Sequence, residues 1–233
     1  MKVSRGSQVC VGVAGLGRSG WGIHISAMRE LPYQYKIAAV SDLDKLRTEK
    51  AASELGCRAC SFEELIKDDN IEMVVIATPN HLHSENAIAA LLAGKAVVCE
   101  KPVATNLADY EKMIAASKKT ASILTPFQNR RYAPDFIKVR EVIESGKLGR
   151  IVLIKISNHA FIRRWDWQTL KTWGGGIVNN LGSHLIDQAL LLFGDGKPEV
   201  LCHVDRMLSA GDAEDHCKII LYGNNAPMID IEM

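Results

Sequence analysis

The sequence lacks an excess of either charge, a long apolar run, a rich aromatic content and an ordered cysteine framework. Its 233 residues hold 28 basic and 27 acidic side chains. Residues 1–125 carry 15 basic against 14 acidic, and residues 126–233 carry 13 of each. A nucleic-acid binder needs a basic surface to meet phosphates, so nucleic acid is not an expected partner. The longest apolar stretches, such as Ala87–Ala93, fall far short of the ~20 residues that cross a bilayer. No apolar segment with a small-residue cleavage site follows Met1-Lys2-Val3-Ser4-Arg5, so no secretory signal is expected. Cys10, Cys57, Cys60, Cys99, Cys202 and Cys217 are scattered, and in a chain without an export signal they read as reduced thiols. A cytoplasmic protein with no membrane partner is expected. Hydrophobic residues make up 47% of the chain, enough for a sizeable core, which excludes disorder as the main state.

The order of elements suggests two domains. Gln8–Ala14 is a short apolar run of the kind buried on both faces of a parallel sheet. Glycines follow, then a helical pattern from Ser19 to Glu30. Tyr35–Val40 reads as a strand, 43–55 as a helix with Gly56 as its cap, and Met73–Ala77 as a strand. His83–Ala93 is helical, Ala96–Cys99 a strand, Ala108–Lys118 a helix and Ser122–Thr125 a short strand. Alternating strands and helices imply βαβ units and a parallel sheet over residues 1–125. Beyond lie a helix at Pro134–Ser145 and a strand at Arg150–His159. An aromatic, charged loop spans Phe161–Trp173, and a long helix runs from the glycines at 174–176 to Phe193. Strands follow at Val200–Leu208, His216–Tyr222 and Met228–Glu232. Strands in a run predict an α+β domain with an open, mainly antiparallel sheet over 126–233.

Gly15-Leu16-Gly17-Arg18-Ser19-Gly20 matches G-x-G-x-x-G between a predicted strand and a predicted helix. Gly15 allows the tight turn, Gly17 lets backbone approach a pyrophosphate, and Gly20 permits close helix–strand packing. Amides at the helix start then meet negative phosphates. Asp42 ends the second strand, where a carboxylate accepts ribose hydroxyls and repels a 2′-phosphate. NAD is therefore expected in preference to NADP, although Arg18 would favour a 2′-phosphate.

Further along, Ala77-Thr78-Pro79-Asn80-His81-Leu82-His83, Cys99-Glu100-Lys101-Pro102, Asn129-Arg130-Arg131-Tyr132 and the segment from Gly174-Gly175-Gly176 through Asn180 and His184 to Asp187 resemble the Gfo/Idh/MocA family of sugar and polyol oxidoreductases. That resemblance covers essentially the whole chain. It implies a Rossmann domain followed by an open-faced sheet, substrate bound between them, and hydride transfer between a secondary alcohol carbon and a nicotinamide. It also implies a homodimer or homotetramer. By the same resemblance Lys101 and His184 are the catalytic lysine and histidine. Thr78, Pro79, Asn80 and His83 border the nicotinamide ribose, and Glu100 faces it. Inositol-dehydrogenase-like members commonly carry an aspartate where this chain has Asn180. Asparagine cannot take a proton, but it can position a substrate hydroxyl. Asp187, one turn beyond His184, either orients that histidine or bonds neighbouring backbone.

Members of the family usually continue for about another hundred residues, so the chain reads as a fragment or as one with a reduced second domain. Trp165 and Trp167 offer faces suited to a sugar ring, or serve as packing plugs. Arg131 lines the pocket or makes a structural pair, and Arg163 and Arg164 meet an anionic substrate group or stand exposed. Cys57 and Cys60 form a C-x-x-C without the partner pair of a zinc site, and no metal is expected. His24 reads as core or surface filler. Beside the oxidoreductase reading stand a non-catalytic NAD-binding module and a variant that keeps NAD bound and uses it transiently.

Overall fold

The computed structural model describes residues 8–233; the N-terminal stretch read above for a secretory signal lies largely outside the described residues. The run Val9–Ala14 forms β1. Val11 and Val13 point into one core. Gly12 points into the other, where a Cβ would collide with the Leu65 side chain. β1 is thus buried on both faces, as a central parallel strand must be.

Around β1 the chain lays down β2 (Tyr35–Ser41), β3 (Arg58–Ala59), β4 (Met73–Ile76), β5 (Ala96–Cys99) and β6 (Leu124–Pro126). All pair in parallel in the order β3-β2-β1-β4-β5-β6. That is the doubly wound dinucleotide-binding order, whose switch point lies between β1 and β4. One face is covered by α3 (Phe62–Lys67), α4 (His83–Leu92) and α5 (Leu107–Thr120), which supply Leu65, Leu91 and Met113. The other carries α2 (Lys45–Leu55) and the helix that follows the glycines, which supply Ala51 and Ile25.

The first helix is not regular. A π-helical turn over Gly20–Ile25 leads into α1 (Ser26–Arg29). Two glycines in its first turns, Gly20 and Gly22, weaken the preference for ordinary α geometry. α2 starts at Lys45 because the Asp44 side chain accepts from the Arg47 amide, and it ends at Gly56 in the left-handed region. β3 and α3 were absent from the sequence reading. Their clearest sign is Ser61-Phe62-Glu63-Glu64, a capping box in which serine and glutamate each bond the other's backbone.

The chain divides into two compact units between Phe127 and Gln128. In the second, α6 (Pro134–Glu144) precedes β7 (Leu153–Ser157). A π-helical turn at Val178–Gly182 runs into α7 (Ser183–Phe193), so regular α-helix begins only beyond the glycine run and this turn. β8 (Glu199–Asp205), β9 (His216–Tyr222) and β10 (Met228–Glu232) follow. The sheet order is β7-β10-β9-β8, antiparallel at β9 but parallel between β10 and β7. α7 places Leu185, Ala189 and Phe193 at four-residue spacing over Cys217, Ile219, Leu221, Ile229 and Ile231. Every residue of β8 is exposed. Among the described residues no helix is long and apolar enough to cross a membrane.

Leu65 is fully buried between α3 and β1. Leu65→Ala should lower unfolding free energy by about 2–5 kcal/mol in urea titrations. A loss under ~1 kcal/mol would show that the site collapses around the missing side chain.

Candidate functional site

At the end of β1 the backbone turns sharply. Gly15 has φ +90°, its N–H donates to Ser41 O at 2.8 Å, and a Cβ there would collide with the Ala77 carbonyl. A Cβ on Gly20 would collide with the Gly15 carbonyl oxygen. At Gly17, by contrast, no atom among the described residues lies within 4 Å of a would-be Cβ. The first and last glycines are thus required by packing, and the middle one faces open space. Ser19 stands at the helix start.

Asp42 sits at the end of β2 with both carboxylate oxygens engaged. Oδ2 accepts from the Leu16 amide at 2.6 Å, and Oδ1 from the Asp44 amide at 2.9 Å. Arg47 Nη1 lies 3.5 Å from Oδ2. The acidic residue therefore braces the glycine turn as well as ending β2. The Leu16 side chain is buried and its N–H is held by Asp42. A cavity of about 480 Å³ lies in front of this turn. Leu16, Gly17, Arg18 and Trp21 line one side, and Arg47, Lys50, Ala51 and Glu54 the other.

The ends of β4 and β5 form a second cluster. Thr78 Oγ1 accepts from Asn86 Nδ2 at 3.2 Å, and Pro79 leads into a 3₁₀ turn over Asn80–Leu82. His83, expected beside a ribose, is buried: it is 1% exposed, with Nδ1 2.7 Å from Pro102 O and Nε2 2.8 Å from Thr78 O. Both partners are acceptors, so a neutral ring donates to one and only an imidazolium to both. Burial nevertheless pushes the imidazole below its ordinary value. Glu100 likewise turns inward. It is 5% exposed, its Oε1 is 3.0 Å from His24 Nε2, and its Oε2 accepts from the Lys101 amide at 3.1 Å. Burial works to raise the Glu100 carboxyl, but the His24 hydrogen bond and charge, with Lys101, outweigh it and hold the group below its usual range. Lys101 itself is half-buried, and the Lys101–Pro102 bond is cis. His24 is the residue that sequence reasoning missed, since nothing local distinguishes a histidine bound to a carboxylate 76 positions away from a core filler.

In the second unit, Asn180 Nδ2 donates to Gln168 Oε1 at 2.7 Å. His184 lies in the first turn of α7, four residues on and so on the same helical face. Asp187 takes a role outside both readings considered for it: it forks with Arg131, Nε to Oδ2 at 2.8 Å and Nη2 to Oδ1 at 2.6 Å. Arg131 is thereby a paired structural cation, and the Asp187 hydrogen bond raises its pKa further. Trp165 is 74% exposed beneath Arg163, whose guanidinium carbon is 5.0 Å from the ring centroid. Arg164 pairs with Asp166 at 2.6 Å, and Trp167, half-buried, opens a 3₁₀ turn that Asp166 caps. The β8–β9 loop, given no role from sequence, closes over this region. Ile177 N donates to Glu214 O, Ala213 N to Thr169 O, and Lys171 N to Asp212 Oδ1. A Cβ on Gly175 would collide with the Gln168 carbonyl, and one on Gly176 with Glu214. Close backbone packing thus accounts for Gly175, and a φ of +106° beside the Glu214 side chain for Gly176.

Among the described residues no group of three His, Cys, Asp or Glu could hold a metal ion. Cys57 and Cys60 are free thiols, both pushed up chiefly by burial.

A glycine cradle at the switch point, an acid ending β2 and a lysine turn ending β5 define a dinucleotide-binding Rossmann unit followed by an α/β unit. Residues 9–128 match the family model described as an oxidoreductase family with an NAD-binding Rossmann fold. Residues 136–233 match the GFO/IDH/MocA C-terminal domain. The chain belongs to the Gfo/Idh/MocA oxidoreductase family. It is 31% identical over 224 residues to the myo-inositol 2-dehydrogenase of Thermotoga maritima, covering 93% of this chain and 66% of that protein. It is 31% identical over 187 residues to the NADP(+) scyllo-inositol 2-dehydrogenase IolW of Bacillus subtilis, covering 79% and 51%. The WlbA dehydrogenase from Bordetella pertussis, solved with NADH and UDP-GlcNAcA, superposes with a TM-score of 0.89 at 26% identity, covering 97% and 71%. The chain spans about half to two thirds of the length of the curated relatives it matches.

The His83 environment makes stability depend on pH. Below the unfolded value of ~6.5, the unfolded chain binds a proton that the native imidazole excludes. Stability should therefore fall as pH drops, by up to about 1.4 kcal/mol per pH unit from this group. Urea titrations at about pH 7.5 and about pH 5.5 should show a smaller fall for His83→Phe than for the parent. Equal falls would mean that native His83 takes up its proton over the same pH range as the unfolded chain.

Proposed function

We propose that this protein is a nicotinamide-dependent oxidoreductase acting on a secondary hydroxyl, or the corresponding carbonyl, of a sugar, cyclic polyol or related compound. The observation that carries this reading is the Glu100-Lys101-Pro102 turn, held at the end of β5 in the same unit as an open-faced glycine cradle. A bound nicotinamide supplies the hydride acceptor, or the donor in reverse. Gly15, Gly17, Arg18, Ser19 and Gly20 hold the dinucleotide's phosphate end, with Thr78, Pro79 and Asn80 toward the nicotinamide end. During oxidation the neutral amine of Lys101 takes the hydroxyl proton; during reduction its ammonium returns it. His184 hydrogen-bonds the reacting oxygen, and the Asn180 amide, oriented by Gln168, fixes a neighbouring hydroxyl. Trp165 and Trp167 offer faces for the sugar ring. Arg131 shapes this region through its fork with Asp187.

NAD(H) is the proposed cofactor, with Asp42 the group that disfavours a 2′-phosphate. One observation favours a second reading, NADP(H): Arg18, Arg47 and Lys50 line a single cavity, and Arg47 lies beside the Asp42 carboxylate. The protein is proposed to work in the cytoplasm, where its six free thiols stay reduced, and to assemble as a homodimer or homotetramer using the exposed β8.

Thermal unfolding with each dinucleotide should show a raised midpoint with NAD(H); a rise with NADP(H) alone would transfer the assignment to the cationic cavity. In a polyol and sugar screen, Lys101→Ala should still bind NADH but lose about 10²–10⁴-fold in turnover. Turnover that survives this substitution would remove Lys101 from the chemistry. NADH binding with no turnover of any polyol or sugar would favour the non-catalytic module.

A further inference from the structure

Two buried histidines from different helices bracket Lys101: His24 is paired with a carboxylate, and His83 is held between two backbone carbonyls. On the N-terminal side, His24 Nε2 lies 3.0 Å from Glu100 Oε1, with the two side chains 6% and 7% exposed. The other oxygen of that carboxylate accepts from the Lys101 amide at 3.1 Å. The Glu100 backbone is tied to β4 through its N–H to Ile76 O at 2.9 Å. The His24 ring is itself fixed against Phe127, centroids 4.3 Å apart and tilted by 49°, and the Phe127 amide donates to Cys99 O. On the C-terminal side, His83 Nδ1 sits 2.7 Å from Pro102 O.

We propose that His24 is a positioning residue for Lys101: through Glu100, it holds the lysine turn in place and sets how strongly the carboxylate's charge acts on the lysine ammonium. This rests on the reading of Lys101 as the proton-exchanging group. Fold stability alone is a weak reason for such a pair, because a buried ion pair gains little over well-packed apolar residues. What an apolar pair would lack is a carboxylate oxygen fixed on the Lys101 amide. The helix that follows the glycine cradle also supplies His24, so one element serves both the dinucleotide end and the lysine turn. Among the described residues, the titratable groups facing Glu100 are His24 from that helix, His83 from α4, Lys101 beside it and the Cys99 thiol on β5. Of these, His24 and Lys101 hold the carboxylate in its charged form against the cost of burial.

The test reads the lysine directly and needs no substrate. The rate of Lys101 acetylation by acetic anhydride is followed against pH by peptide mass spectrometry, with the 89%-exposed Lys45 as internal reference. Glu100→Gln removes the negative charge and should lower the Lys101 midpoint relative to Lys45 by at least about half a pH unit. His24→Phe keeps the ring packing but withdraws the donor, so the carboxylate leans on the lysine alone and the midpoint should rise. His24→Gln, whose amide can still donate to Oε1, should restore the parent value. Each variant is first checked for NADH binding and a cooperative thermal transition. Midpoints unmoved in both Glu100→Gln and His24→Phe overturn the proposal, as does a rise in Glu100→Gln. Should either substitution prevent folding, Glu100→Asp takes its place: it keeps the charge and shortens the reach to His24, so the midpoint should rise as in His24→Phe, and an unmoved midpoint overturns the proposal. Because no turnover is measured, failure here is distinct from failure of the Lys101→Ala experiment.

Discussion

The steric crowding at the end of β1 governs the first unit. Gly15 lies so near the Ala77 carbonyl, and Gly20 so near the Gly15 carbonyl, that neither position has room for a side chain. The first helix must therefore leave β1 at close quarters, and the left-handed φ of Gly15 makes the turn possible without strain. Because the helix starts there, the space before Gly17 stays open and His24 reaches the end of β5. Asp42 braces the same turn from β2 through the Leu16 amide. Three strands thus converge on one loop, at the switch point where the sheet's winding reverses.

Polar groups are buried around this loop, each at a cost unless matched. His83 meets two carbonyls, and Glu100 meets His24 and a backbone amide. These contacts tie the strand ends together where the sheet's main-chain ladder has run out. They place the lysine turn on anchored backbone, the condition for a group that must exchange a proton in one orientation.

In the second unit the corresponding constraint is the glycine run before α7. Gly175 is pressed on the Gln168 carbonyl and Gly176 on Glu214, so the β8–β9 loop, the aromatic loop and the start of the helix form one packed cluster. Asn180 and His184 project from the first turns of that helix, with Gln168 holding the asparagine and Arg131 holding Asp187 further along. A change in the β8–β9 loop therefore bears on the same side chains as a change in the aromatic loop.

The period-two and helical patterns, the G-x-G-x-x-G turn and the acid after β2 were legible in the sequence because each is a local demand: a φ that only glycine meets easily, a strand buried on both faces, a cap at a helix end. The β8–β9 loop and the parallel pairing of β10 with β7 were not, since both depend on contacts between segments far apart in the chain. The orientation of side chains belongs to the same class. The family resemblance implies that Glu100 and His83 face a ligand, whereas in the fold both side chains are buried against polar partners. The sequence by itself determined most of the elements, though not β3 and α3, and which residues gather at the strand ends. Only the tertiary structure decided which of them face outward, because a buried polar group takes whatever partner folding brings within hydrogen-bond distance.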